Sequence, residues 1–340
     1  MLGRSQRVVK RMTRRRQKHL PILALAIGLV GLVGVERLLK HLDLPLTPMW
    51  PTYYVLKAGW PGDDTQTGVG ASMPDMSQDS SQPTGVASES AKIVFLHHST
   101  GWAVWLGNTS EATFKVSGKS DVKSWMAVYN KTNNTGHEIE EMAFPTTSEG
   151  YPWANYPYDY YNIWVKHAGD APYQGSPTLE MLTKEYDVIV WKHCFPVASI
   201  LPDTGKPDVD SAEKRLENYK GQYAALKEKM HSFPDTKFIV WTGAAPTIGS
   251  TRPTKALRAG QFFDWVKSDW DEPGDNIFMW DFYQLETEGG IYLKMGYANG
   301  LRDPHPRPDF AGRVAPLFAQ RIIDVVNGKG DSTSLSGEAD

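Results

Sequence analysis

Three residues of this chain have the types and spacing that acyl chemistry needs: Ser99, Asp303 and His305. Ser99 follows the run Ile93-Val-Phe-Leu-His-His98, in which bulky apolar residues give way to histidine, serine and, at position 101, glycine. A buried parallel strand shows such a change at its carboxyl end, where α/β proteins bind their ligands. A serine hydroxyl is a weak nucleophile unless a base takes its proton, and that base is commonly a histidine oriented by a carboxylate. The stretch Arg302-Asp-Pro-His-Pro306 offers both groups. Its two prolines hold His305 in a stiff, non-helical segment. Asp303, two residues earlier, can take the ring Nδ1–H and leave Nε2 free to deprotonate a serine.

These residues need a sheet to bring them together. Apolar runs suited to buried strands lie at 92–96, 186–191, 237–241 and 276–280, with 138–144 as a candidate fifth. Each of the four main runs ends in polar or small residues: His97-His98-Ser99, Lys192-His193-Cys194, Thr242-Gly243 and Asp281. Apolar residues at alternating steps of three and four predict a helix over 211–233, and similar patterns predict helices over 253–270 and 307–326. Strands alternating with helices imply right-handed crossovers and a parallel sheet covered on both faces. The expected fold class is therefore α/β, a three-layer α/β/α sandwich around a central, mostly parallel sheet. In such a sheet the strand ends share one edge, so Ser99, Lys192 and His193 are expected to be neighbours.

The order of these features resembles the SGNH (GDSL-like) hydrolase superfamily, as a divergent member. In that family a serine follows the first strand, and an aspartate and a histidine stand close together before the C-terminal helix. Here the matching stretches are 93–99 and Asp303-Pro-His-Pro306 followed by the helix candidate, so the resemblance covers roughly 91–327. It implies a flavodoxin-like sheet and a serine esterase with Ser99 as nucleophile, His305 as general base and then acid, and Asp303 orienting His305. It also implies the Ser99 backbone N–H as one oxyanion donor.

The chain departs from the family pattern at several points. His97-His98 stands where Gly-Asp usually precedes the serine, and the Asp-to-His spacing is two in place of the more common three. The family's oxyanion asparagine would fall in Lys192-His-Cys-Phe-Pro196, which contains none. Lys192 or His193 is the candidate replacement, and Gly150 the candidate for the family's oxyanion glycine. Loss of one oxyanion donor commonly costs about 2.7–4 kcal/mol of barrier. An unfilled site therefore keeps a non-catalytic carbohydrate-binding or envelope domain open as an alternative.

Other chemistries compete for the same residues. Cys194, the single cysteine, excludes an internal disulfide, and a lone thiol after a buried strand is more often inert core than nucleophile. His97, His98, His193 and His305 could gather a metal with Asp303, although their spacings match no standard zinc motif. The triad reading calls for no metal and no cofactor. The segment 151–161, with five tyrosines and a tryptophan, is either a sugar-facing rim or an insertion packed on itself. A rim would suit an O-acyl, in particular acetyl, ester of a carbohydrate as substrate. An O-acyltransferase with the same triad is the alternative.

The chain has 340 residues, 41% of them hydrophobic, which is enough for one large domain with appendages. Its net charge of −3 conceals eight lysines and arginines before Leu20. These flank an apolar stretch instead of lining a folded face, which argues against nucleic acid as a partner. Residues 20–35 carry no charge, and no A-x-A-like cleavage site follows them. The expected organisation is a basic cytoplasmic tail at 1–19, a signal anchor at 20–36, a flexible linker at 37–90, the hydrolase-like domain at 91–327 and a disordered tail at 328–340. Charge bias places the domain outside the cytoplasmic membrane on a single-pass anchor, facing the periplasm or cell exterior, and secreted if the segment is cleaved.

Overall fold

A computed structural model of the protein describes residues 90–146, 150–152 and 154–338. The tail at 1–19, the apolar stretch at 20–36 and all but the last residue of the linker at 37–90 lie outside the described residues. Among the described residues no helix is long and apolar enough to cross a membrane.

Five parallel strands form the sheet: β1 (Lys92–His97), β2 (Glu138–Ala143), β3 (Val188–Lys192), β4 (Lys237–Trp241) and β5 (Ile277–Trp280), in the order β2-β1-β3-β4-β5. This is the flavodoxin-like strand order, whose reversal between the first and third strands marks the usual ligand crevice. β3 is buried along its whole length, as expected of a central strand covered on both faces. The first crossover carries α1 (Thr100–Leu106), α2 (Glu111–Ser117) and α3 (Asp121–Asn133). The second carries α4 (Pro157–Tyr161), a π turn and α5 (Leu179–Leu182). Then come α6 (Leu216–His231), α7 (Pro253–Trp265) and α8 (Phe282–Thr287). A hairpin of β6 (Ala298–Gly300) and β7 (Asp303–Pro306) leads into α9 (Pro308–Val326).

Helices cover both faces, as the three-layer reading expects. On one face Phe318 of α9 packs against Phe95, Trp241 and Trp280. On the other, Tyr160 of α4 and Tyr223 of α6 pack against Trp191. The strand pleat sorts these residues: Phe95, Val190, Lys192, Trp241 and Trp280 share the α9 face through the registers Phe95↔Val190, Lys192↔Trp241 and Trp241↔Trp280.

Several expectations need correction. The helix expected over 211–233 starts only at Leu216. The Ser211 hydroxyl accepts the Glu213 N–H at 3.2 Å, closing a local turn instead of capping a helix. Leu201 N–H donates to Lys214 O at 2.7 Å, which holds 211–215 in a strap beside the helix. Of the two readings of the tyrosine-rich run, burial favours the packed insertion over the rim: Tyr151, Tyr156, Tyr160 and Tyr161 are all buried. Of the tail expected to be disordered from 328, residues as far as Gly337 pack on the domain. Arg321 is buried and donates to Gly330 O at 2.8 Å, Asp281 N–H donates to Leu335 O at 2.8 Å, and Trp280 Nε1–H donates to Ser336 O at 2.9 Å. A buried guanidinium and an indole N–H need acceptors, and the polar tail brings its backbone carbonyls to them.

Candidate active site

Ser99 forms the turn between β1 and α1, at the helix N-cap, with φ 51° and ψ −97°. Positive φ is uncommon for a residue with a Cβ and costs about 1–3 kcal/mol. A sharp strand-to-helix turn of this kind lifts the hydroxyl above the sheet edge and away from the core. Gly101 N–H closes the turn on His98 O at 3.0 Å, and Ala103 N–H on Ser99 O at 3.1 Å. Gly101 is required for space: a Cβ there would lie 2.5 Å from His97 Cβ and 3.0 Å from Lys192 Cδ.

His305 arrives from the far end of the chain on β7. Side chains alternate along a strand, so Pro304 and Pro306 are buried while Asp303 and His305 share the opposite, half-buried side. That geometry is why a spacing of two suffices. Asp303 Oδ1 lies 2.6 Å from His305 Nδ1 and also accepts the His305 backbone N–H at 3.1 Å. Nε2 of the same ring lies 2.5 Å from Ser99 Oγ. A carboxylate that holds Nδ1–H leaves Nε2 as the acceptor for the serine proton. The chain of contacts runs Ser99, His305, Asp303, each side chain within hydrogen-bond reach of the next, which is the arrangement nucleophilic acyl chemistry needs.

The two candidates at the end of β3 point opposite ways, as the pleat requires. Lys192 lies on the α9 face beneath the Ser99 turn, where its Nζ donates to His98 O at 3.1 Å and reaches Cys194 Sγ at 3.4 Å. His193 is buried on the other face among Tyr160, Trp191 and Tyr223, with Nε2 2.7 Å from Tyr223 Oη. Burial holds its pKa well below the usual histidine value, so it is a neutral core ring with no place at the serine. Lys192 faces the backbone behind the serine and not the space in front of it. Gly150 is exposed at φ 76°, and none of the described hydrogen bonds ties it to Ser99.

The remaining histidines do not converge. His97 Nε2 is 3.2 Å from Glu141 Oε2, and its ring stacks on Trp102. His98 Nε2–H donates to Pro145 O at 2.7 Å, and burial lowers its pKa to about 4, so it is neutral at pH 7. Among the described residues no three His, Cys, Asp or Glu side chains are grouped as a metal set. Cys194 is 2% exposed, with its sulfur 3.4 Å from His98 O, and is walled off from substrate.

Two features of the site escape the sequence. Asn155, buried with φ 51°, donates from Nδ2 to Phe144 O at 2.6 Å and accepts the Cys194 N–H on its own carbonyl at 3.0 Å. It ties together the loops that follow β2 and β3. Phe195 stands edge-on to the His305 ring at 6.4 Å and opens a pocket of about 250 Å³, lined also by Pro196, Ser199, Lys214, Pro246 and Thr251. An αL asparagine and a ring after a strand end carry no pattern that a single sequence reveals.

No protein-family model matches the chain, and no curated protein matches it. Solved structures are similar to it at low identity. A gut microbial diltiazem-metabolizing enzyme shares 12% identity at a TM-score of 0.39, over 72% of this chain and 48% of that one. A carbohydrate esterase whose active site displays divergent catalytic and non-catalytic binding functions shares 13% identity at a TM-score of 0.32, over 72% of this chain and 68% of that one. An active-site mutant of a family two carbohydrate esterase from Clostridium thermocellum shares 13% identity at a TM-score of 0.33, over 70% of this chain and 64% of that one. The chain thus spans about half the length of the first of these.

Proposed function

We propose that the protein is a serine esterase of SGNH type. The observation that carries this reading is the pair of short contacts through one imidazole, 2.5 Å from Nε2 to Ser99 Oγ and 2.6 Å from Nδ1 to Asp303 Oδ1. Ser99 Oγ attacks the ester carbonyl carbon while His305 Nε2 takes its proton. Asp303 stabilises the resulting imidazolium and fixes its orientation. The carbonyl oxygen becomes an oxyanion, for which the Ser99 backbone N–H is the donor at hand. His305 then protonates the departing alkoxide, leaving an acyl group on Ser99. In the second half His305 deprotonates a water that attacks the acyl carbon, and Ser99 leaves with the proton returned.

The substrate in this reading is a short O-acyl ester, an acetyl ester first, on a carbohydrate. The pocket lined by Phe195, whose ring stands 6.4 Å from that of His305, supports a sugar: one ring and two prolines give apolar surface, while Ser199, Lys214 and Thr251 add polar groups. The basic tail and the apolar stretch at 20–36 support a protein anchored in the cytoplasmic membrane with this domain outside it.

The test is acetate release by the purified full chain from p-nitrophenyl acetate and from an acetylated oligosaccharide. Release from both, lost in the Ser99→Ala variant, is the expected result. Equal rates for the two proteins would overturn the reading. Acetyl appearing on an added sugar acceptor in place of free acetate would reassign the same site to acyl transfer.

A further inference from the structure

The peptide joining His98 to Ser99 is trans, because the cis bonds of the described chain lie elsewhere. In a trans peptide the C=O and the N–H point in opposite directions. Whatever holds His98 O therefore also aims Ser99 N–H. Among the described residues, that oxygen has Gly101 N–H at 3.0 Å, Lys192 Nζ at 3.1 Å and Cys194 Sγ at 3.4 Å beside it. Gly101 belongs to the same turn, and a single local donor leaves the peptide free to rock with it. Lys192 belongs to β3, the neighbouring strand in the sheet, and Cys194 follows it; a thiol is a weak donor, so the lysine supplies the stronger of the two hydrogen bonds that fix the peptide relative to the sheet.

We propose that Lys192 is a positioning residue of this active site, which holds His98 O on the buried side so that Ser99 N–H faces the cleft where the oxyanion forms. The proposal rests on the esterase reading given above. It also reassigns Lys192, which acts through the His98–Ser99 peptide and does not itself touch the oxyanion.

The cost of this lysine argues that it has a task. It is fully buried, and burial pushes its pKa below the ordinary lysine value. Partial compensation comes from the Cys194 sulfur, 3.4 Å from Nζ, and from the Trp241 ring face, 5.7 Å away. A methionine of similar length would fill the space without that penalty. Packing also makes room for the lysine, since Gly101 lacks the Cβ that would lie 3.0 Å from Lys192 Cδ. Donation to His98 O needs only an N–H, so the arrangement works with Lys192 charged or neutral.

The experiment uses the full chain as wild type, Lys192→Met, Lys192→Gln and the double variant Lys192→Met, Glu286→Gln. Steady-state hydrolysis of p-nitrophenyl acetate is measured alongside inhibition by phenylboronic acid, which adds to Ser99 Oγ and places a hydroxyl where the oxyanion forms. Lys192→Met is expected to lower kcat by about 10–100-fold with KM changed less than about threefold. The boronic acid should weaken by a similar factor, and Lys192→Gln, which keeps an N–H donor, should recover part of both. The double variant should melt no earlier than Lys192→Met, because the introduced glutamine keeps an acceptor for the Ala245 N–H and leaves no buried carboxyl behind once the lysine is gone. A Lys192→Met enzyme with unchanged kcat and boronic acid affinity overturns the proposal. So does a loss of kcat that tracks a drop in melting temperature in both Met variants, which would make the role structural. A wild type that neither hydrolyses the ester nor binds the boronic acid overturns the esterase reading itself.

Discussion

Ser99 Oγ and His305 Nε2, 206 positions apart in the chain, stand 2.5 Å from each other above the carboxyl edge of a parallel sheet. Two separate devices produce this contact. The strained turn after β1 raises the serine, and the proline-flanked β7 presents the histidine with its carboxylate on the same side. In the proposed esterase, use of this contact depends on the tautomer in which Asp303 holds the Nδ1–H.

That dependence gives the first prediction. Asp303→Asn removes the acceptor that keeps the proton on His305 Nδ1, while altering little else in size. Its kcat for ester hydrolysis should fall on the order of 10³–10⁴-fold, with KM and melting temperature nearly unchanged. Steady-state kinetics and thermal melts of the variant check this. A loss below tenfold would contradict the assigned role.

The second prediction concerns Gly101, where a Cβ would lie 2.5 Å from His97 Cβ in the backbone-fixed part of a side chain. Gly101→Ala must push α1 away from β1 and β3. It should lower the unfolding free energy by about 1–3 kcal/mol in urea titrations, and lower activity as well, because the Ser99 turn moves with the helix.

A third prediction follows from His98. Burial lowers its folded pKa from 6.5 to about 4, so the folded state binds fewer protons than the unfolded state between those values. Its contribution to stability is therefore full above pH 6.5 and is lost as pH falls toward 4. His98→Gln keeps an N–H donor for Pro145 O but does not titrate. Between pH 7.5 and 5, its urea midpoint should fall less than that of wild type; about these two pH values the window is set by the histidine range. His97 and His193, whose pKa values burial also lowers, still titrate in both proteins. Identical pH dependence in the two proteins would contradict the assignment.

How far the sequence discloses this molecule depends on where each signal resides. Four of the five strands are legible because buried parallel strands are nearly continuous apolar runs, and 237–241 matches β4 residue for residue, whereas the edge strand β2, with three glutamates, carries only a faint signal. Ser99, Asp303 and His305 are legible because a strand end and two prolines punctuate the chain around them. The division of labour between Lys192 and His193 is not, since it rests on which face of β3 each occupies, and that is set by register with β1 and β4. The helix α3 goes unseen because it buries only Val122 and Met126, too narrow a face for periodicity to mark. Its caps are nevertheless in the sequence: Ser120 accepts the Lys123 N–H at 3.2 Å, and Asn134 ends it at φ 54°. The tail beyond 328 reads as polar and unstructured because its anchors, Arg321 and Trp280, lie in other elements.

The central claim is that His305 activates Ser99. A fluorophosphonate probe, which reacts with a serine hydroxyl only when a base activates it, tests this in the full-length protein, with the labelled peptide identified by mass spectrometry. The account predicts one phosphonylated serine, at Ser99, with labelling abolished by His305→Ala and retained in His193→Ala. No label at Ser99, or labelling that persists without His305, would contradict it.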